Sequence, residues 1–273
     1  MSYVIFLDID GTLINYQAKL PESARQALIE AMNNGHKIFV CTGCSKAEIA
    51  ARNLPKINGI IGGNGSYIEC DDEVLFHEPL SLEECTKFVN WCKENNLAHR
   101  LECNSGMYIS DDYEESSKLA RFYYQHGKDA DISLIPETKL PAYMHENENM
   151  YRDDCNKTAF VLNTYDDYLN ATKVFSDLKV DTWGGKGEHA LYGAVMRPNI
   201  TKFTSVKEVM KHFDGYNSIA FGDAVVDIPM FEACDTSVAM DNASNEVKKA
   251  SDYVTDDVDN DGLYNAFKHF NII

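Results

Sequence analysis

The sequence predicts an α/β protein, with a parallel-sheet core interrupted by a more polar α+β block. Three observations predict this. Short apolar runs without alternation stand at residues 4–7, 38–41 and 218–221, the pattern of strands buried on both faces of a parallel sheet. Helical segments lie between such runs, which is the rhythm of an α/β core. From Ser81 to about Gly193 the chain turns more polar and its strand signals weaken, and the α/β rhythm resumes after Pro198. The expected division is therefore a core of residues 1–80 and 194–273, with residues 81–193 inserted.

Taken in order, Val4-Ile5-Phe6-Leu7 is the first strand, running into Asp8-Ile9-Asp10-Gly11-Thr12. Two carboxylates at the end of a buried strand need a partner, because an unpaired buried charge is costly. Pro21 opens a helix whose Ala24, Ala27, Leu28 and Ala31 share one face, and Gly35 is placed to end it. Residues 38–41 form the second strand, followed by Thr42-Gly43, a short helix over 45–52, and Ile60-Ile61 as the third strand. Gly62-Gly63-Asn64-Gly65 breaks the chain, and two runs flanking Asp71-Asp72 suggest a hairpin.

In the insertion, Ser81-Leu82-Glu83-Glu84 is a capping box that opens an amphipathic helix. Strands are expected near Tyr108, Phe160 and Leu191, helices over 113–125 and 166–178, and an acidic loop over 145–156. Trp183, Lys186 and His189 are substrate-contact candidates near the return to the core, with an ordinary strand and loop as the preferred reading. In the closing third, a helix over 202–213 precedes the strand at 218–221, which ends in Gly222-Asp223 and then Asp227. Pro229 suits a first helical turn, and 237–240 and 253–255 complete the strand candidates. Asp257, Asp259, Asp261 and Gly262 open like a calcium loop, but the position for its bidentate glutamate is Lys268 and no flanking helices are expected, so an acidic turn is the reading.

Composition excludes several classes. The chain has 273 residues, 44% of them hydrophobic, enough for a sizeable core. Its 43 acidic against 25 basic side chains give a net charge of −18. Such a surface repels nucleic acid and anionic membranes, and no basic stripe compensates. No apolar run is long enough to span a bilayer and no basic-then-apolar leader precedes the first strand, so a cytoplasmic location is expected. There most of the eight cysteines should be reduced. Cys85 and Cys92 share a helical stripe with Leu82, Phe88 and Val89 and read as core filler. Cys41 and Cys44 stand at redox spacing, and Cys44 lies near a predicted helix start, which favours thiolate. Buried filler is the preferred reading of that pair too, and without a second pair at zinc spacing no structural zinc is expected.

The polar groups at strand ends form one constellation, because all carboxyl ends of a parallel sheet lie on one edge. Asp8, Asp10, Thr42, Asp223 and Asp227 can converge there with Lys202. Carboxylates without histidine make a hard oxygen site suited to Mg²⁺. A carboxylate beside such a cation can attack phosphorus. Lys202 can offset charge on a phosphoryl group, Thr42 and helix-start N–H groups can bind its oxygens, and Asp10 can serve as acid and base.

This order of motifs resembles the haloacid dehalogenase superfamily. Asp8-Ile9-Asp10-Gly11-Thr12 is similar to its first motif, Thr42-Gly43 to its second, Lys202 to its third, and Gly222-Asp223 with Asp227 to its fourth. The insertion, Asn64-Gly65 and the tail Val238-Ala239-Met240-x-Asn242-Ala243 resemble its Cof-type branch, subclass IIB. The resemblance implies a Rossmann-like core with a substrate-selecting cap and a phosphatase acting on small phosphorylated metabolites, sugar phosphates above all. It implies Asp8 as nucleophile and Asp10 as general acid/base. It also implies Mg²⁺ on Asp8, the Asp10 carbonyl and Asp223 with support from Asp227, and Thr42, Gly43, Asn64 and Lys202 on the phosphate. Three positions depart from the pattern: Cys44 replaces an arginine, Phe203 a glycine and Val226 an asparagine. A phosphosugar mutase of the same superfamily and a catalytically weakened phosphometabolite-binding protein are the alternatives.

Overall fold

The computed structural model describes residues 2–126, 131–135, 140–146, 148–185 and 187–273. The chain forms two compact units. The first comprises Met1–Cys44, Arg52–His77 and Ile200–Ile273; the second comprises Ser45–Ala51 and Glu78–Asn199. These breaks differ from those read in the sequence: they fall at 77/78 and 199/200, and residues 45–51 go with the insertion.

The first unit is built on an eight-stranded sheet. Across it run Tyr253–Val254, Thr236–Ala239, Asn217–Gly222, Tyr3–Leu7, Lys37–Cys41, Gly59–Gly62, Tyr67–Cys70 and Glu73–His77. The first six are parallel, and each of the last two runs antiparallel to the strand before it. Tyr3–Leu7 lies between two parallel neighbours, which is why Val4 to Leu7 are wholly buried and why the run shows no alternation. The helix Glu22–Asn33 buries Ala24, Ala27, Leu28 and Ala31, the face its sequence marks. The predicted hairpin is present: Asp71 and Asp72 both take positive φ, as a tight two-residue turn requires. Phe6, Phe39, Ile61, Val206, Ala220 and Phe231 pack in the core on one side of the sheet.

Two short helices escape the sequence reading, Asn245–Lys249 and Gly262–His269. The second corrects the expectation that no helix flanks the acidic run. The run is nonetheless a turn with two of its carboxylates engaged: Asp257 accepts from the Asp259 N–H and Asp259 from Asn15.

The second unit carries a six-stranded sheet in the order Lys179–Trp183, Tyr192–Met196, Cys155–Val161, His99–Cys103, Gly106–Ile109 and Met144–Glu146. Its pairings are antiparallel except the last. The helix Leu82–Glu94 starts at the predicted capping box, where the Ser81 hydroxyl accepts from the Glu84 N–H and the Glu84 carboxylate from the Ser81 N–H. It buries Cys85, Phe88, Val89, Trp91 and Cys92 against Phe160 and Phe175, so both cysteines are filler. The helices Tyr113–His126 and Tyr165–Val174 complete the main elements. Met144–Glu146 and the start of Cys155–Val161 are strand where a loop was expected.

His99–Cys103 was hidden in the sequence by its charges. Glu102 is only 1% exposed and is held by Arg100 at 2.6 Å and Lys157 at 3.0 Å. Trp183 stacks on Tyr192 with ring centroids 4.0 Å apart, which supports the structural reading of that residue. Lys186 lies outside the described residues. Among the described residues, no helix is long and apolar enough to cross a membrane.

Candidate active site

Every catalytic, phosphate-binding and metal-binding candidate drawn from the sequence belongs to the first unit, and all follow strand ends or open a helix beside them. Asp8 directly follows Tyr3–Leu7, and its N–H bonds the Phe221 carbonyl of the neighbouring strand at 3.0 Å. Asp223 follows Asn217–Gly222. Lys202 opens the helix Lys202–Met210, capped by Thr201, and is 4% exposed. Its ammonium donates to Asp8 Oδ1 at 2.7 Å and to Asp227 Oδ1 at 2.6 Å. Asp227 Oδ2 accepts the N–H groups of Asp223 and Ala224 at 3.1 and 3.0 Å. Asp223 accepts from the Thr12 hydroxyl at 2.9 Å and the Tyr16 hydroxyl at 2.5 Å. Lys202 takes only one Asp8 oxygen, and Oδ2 has no hydrogen-bond partner among the described residues.

The electrostatics follow from burial. Desolvation, reinforced by Asp227 and opposed by Lys202, pushes Asp8 up to about 7. Burial also raises Asp223. Burial alone would lower Lys202, but Asp227 and Asp8 hold its ammonium well above the ordinary lysine range. Asp8, Asp223 and Asp227 each offer an oxygen, and these lie within 4.8 Å of one another. Three carboxylates against one ammonium leave excess negative charge in a desolvated place. That all-oxygen donor set fits a hard divalent cation.

The remaining predicted residues group around this cluster's strand ends. Thr42 follows Lys37–Cys41 and is buried; its N–H bonds the Ile61 carbonyl and its hydroxyl accepts the Cys44 N–H at 3.2 Å. Gly43 lies between them. The Asn64 N–H bonds the Thr42 carbonyl and the Gly63 N–H bonds that of Cys44, so the two loops are tied together. Asn64 itself takes a left-handed φ of 59°. The Asp10 carboxylate is not part of the three-carboxylate group; it is half exposed and pairs with Arg52 at 3.3 Å. Cys41 is sealed in the sheet, and burial pushes its thiol up to about 12, which leaves it protonated and unreactive. Of the other departures from the family pattern, Val226 is 65% exposed and Phe203 is partly so.

Sequence reasoning missed three supporting residues. Thr12 stood in the quoted motif without a role. Tyr16 has no spacing that marks it; burial and its bond to Asp223 push its hydroxyl up to about 12. Asn242 bonds the Gly11 carbonyl at 2.7 Å and accepts the Val258 N–H at 3.1 Å, fixing the loop from the far end of the chain.

Gly11 shows how tightly this loop is drawn. It has φ +88°, and an added Cβ would lie 2.3 Å from Asp223 Oδ2. Gly35 has the same φ with nothing within 4 Å. Gly35→Ala should cost about 1–2 kcal/mol of left-handed strain and leave divalent-cation affinity intact. Gly11→Ala should cost more and weaken that affinity by at least about tenfold, since it displaces the Asp223 carboxylate (tenfold being 1.4 kcal/mol). Calorimetric titration of both variants checks this, and equal affinities would refute it.

Comparison with known proteins gives the family of the chain. The haloacid dehalogenase-like hydrolase family model matches residues 5–267. The Bacillus subtilis (strain 168) protein YkrA is 25% identical over 277 residues, covering 100% of this chain and 99% of its own. The structure of a Bacteroides thetaiotaomicron member of the haloalkanoate superfamily phosphatases aligns with a TM-score of 0.77 and 27% identity, covering 100% of this chain and 96% of that one. That of a subclass IIB sugar phosphatase aligns with a TM-score of 0.72 and 26% identity over 99% of each chain. The chain belongs to the haloacid dehalogenase-like hydrolase family, as its motifs implied, and is a phosphoester hydrolase.

Proposed function

We propose that this hydrolase is a Mg²⁺-dependent phosphatase of small phosphorylated metabolites, sugar phosphates foremost, working through an aspartyl-phosphate on Asp8. The observation that carries this is the Asp8 carboxylate itself. One oxygen is fixed by Lys202, the other has no hydrogen-bond partner among the described residues, and the carboxylate groups with those of Asp223 and Asp227.

Asp8 Oδ2 attacks phosphorus, and the bond from phosphorus to the ester oxygen breaks. Asp10 gives its proton to the departing alkoxide. Asp10 then takes a proton from the water that attacks the phosphoenzyme, the bond to Asp8 breaks, and inorganic phosphate leaves. The Thr42 hydroxyl, the Gly43 N–H, Asn64 and Lys202 bind the phosphoryl oxygens and hold them in line. Asp8, Asp223, Asp227 and the Asp10 main-chain carbonyl would hold Mg²⁺, which supplies positive charge against the phosphoryl oxygens. Residues 81–193 are assigned the choice of substrate, and the match of related phosphatases along their whole lengths supports this.

A screen of phosphomonoesters with Mg²⁺ tests the reading. Phosphate release should vanish in excess chelator and return with Mg²⁺, while calcium, with its larger and looser shell, should support it poorly. Full release in chelator, or none from any ester, refutes it.

A pH effect accompanies metal binding. Asp8 sits above the ordinary aspartate value in the fold, so its contribution to metal-free stability is present in acid and is lost as pH rises through about 7. A bound cation replaces that proton. The rise in melting temperature on adding Mg²⁺ should therefore be larger at about pH 8 than at about pH 5. An equal rise at both would contradict the placement of the cation on Asp8.

A further inference from the structure

Arg52 has no place in the motifs, yet its guanidinium meets the Asp10 carboxylate. Nη2 lies 3.3 Å from Oδ2, with the side chains 27% and 48% exposed. A pair this open to solvent contributes little to stability. It also restrains two mobile side chains, which costs rotamer freedom. What the contact delivers is direction: a guanidinium N–H held against one oxygen restrains where the carboxylate points.

Direction is what the reaction demands of Asp10. It must reach the ester oxygen in the first half and a water in the second, and misplacement of such a group is costly. The chain also lacks a cation where its relatives' pattern has one, since position 44 is a cysteine. The Cys44 N–H bonds Thr42, and a cysteine side chain supplies no cation. Arg52 follows directly on the helix Lys46–Ala50 and its cap Ala51, eight residues further along. We propose that Arg52 is a positioning residue that aims the Asp10 carboxylate, supplying from position 52 the cation absent from position 44. The inference rests on the phosphatase reading with Asp10 as acid and base.

The test compares two esters. The kcat/KM value reports steps up to the phosphoenzyme. For the best alkyl phosphate in the screen, those steps need a proton on the departing oxygen. For p-nitrophenyl phosphate they do not, because the nitrophenolate leaves unaided. Arg52→Gln should lower kcat/KM for the alkyl ester by about 10- to 100-fold and leave the aryl ester within about threefold. Its melting temperature should match wild type, and Arg52→Lys should recover part of the loss. In an Asp10→Asn background, Arg52→Gln should cost nothing further on the alkyl ester, because the two residues act as one unit.

Equal losses on both esters, or losses that add in the double variant, would assign Arg52 to the phosphate and overturn the proposal. Unchanged kinetics in Arg52→Gln overturns it while leaving the phosphatase reading intact. A wild-type protein that releases phosphate from no ester overturns both.

Discussion

Asp8→Asn abolishes phosphate release while the protein stays folded. The substitution keeps the shape of the side chain and removes the charge that attacks phosphorus. Turnover should fall by at least about 10³-fold, in keeping with the loss of other enzymatic nucleophiles. The fold should survive because Lys202 keeps its 2.6 Å partner in Asp227. Burial already pushes Asp8 up to about 7, so its charged form is disfavoured there. Without metal at about pH 8, the variant should therefore melt no lower than wild type. Steady-state kinetics and thermal melts on the same preparation separate the two effects. Turnover within about tenfold of wild type would falsify the covalent mechanism, because an uncharged amide cannot replace the carboxylate as nucleophile.

Lys202→Met has the opposite profile, damaging stability as well as rate. The ammonium is the cation shared by two carboxylates whose side chains are 12% and 0% exposed. Its removal leaves Asp8 and Asp227 facing each other uncompensated. Breaking a buried pair from one side costs about 3–5 kcal/mol, and loss of a charge-stabilising group at the phosphoryl oxygens lowers kcat by about 10²–10³-fold. The destabilisation should shrink in acid, where Asp8 accepts a proton, and shrink again when Mg²⁺ is added at neutral pH. Chemical denaturation at two pH values, with and without the cation, reads all of this. A variant as stable as wild type at about pH 8 without metal would show that the ammonium is not what balances this cluster.

The parts of the protein legible in its sequence are those where one physical demand dominates. Strands buried on both faces must be apolar throughout, so Tyr3–Leu7, Lys37–Cys41 and Asn217–Gly222 announced themselves, and acids at their ends stood out against that background. The second unit was harder because it mixes demands. His99–Cys103 alternates apolar positions with Arg100 and Glu102, which read as solvent-facing but close an ion cluster with Lys157. Asn245–Lys249 is too short to show a helical period, and Gly262–His269 starts at a glycine behind an acidic run. Within the site, the groups that the sequence singled out carry charge at strand ends. Tyr16 and Asn242 act through partners 207 and 231 positions away, and nothing local marks them. The assignment of residues 45–51 to the second unit was equally invisible, since it depends on what that short helix packs against.

The interleaving of the two units has a consequence for the chain as it leaves the ribosome. All segments of the second unit precede Ile200, so it can close while synthesis is still under way. The first unit cannot. Its opening strand waits for Asn217–Gly222, and Asp8 waits for Lys202, 194 positions later. A nascent or truncated chain ending near residue 199 would thus carry a finished insertion and no assembled chemistry. It would also present Val4, Ile5, Phe6 and Leu7 along an unpaired strand edge, a template for association with other unfinished chains. Hydrolytic competence and protection from aggregation therefore arrive together, with the last quarter of the polypeptide.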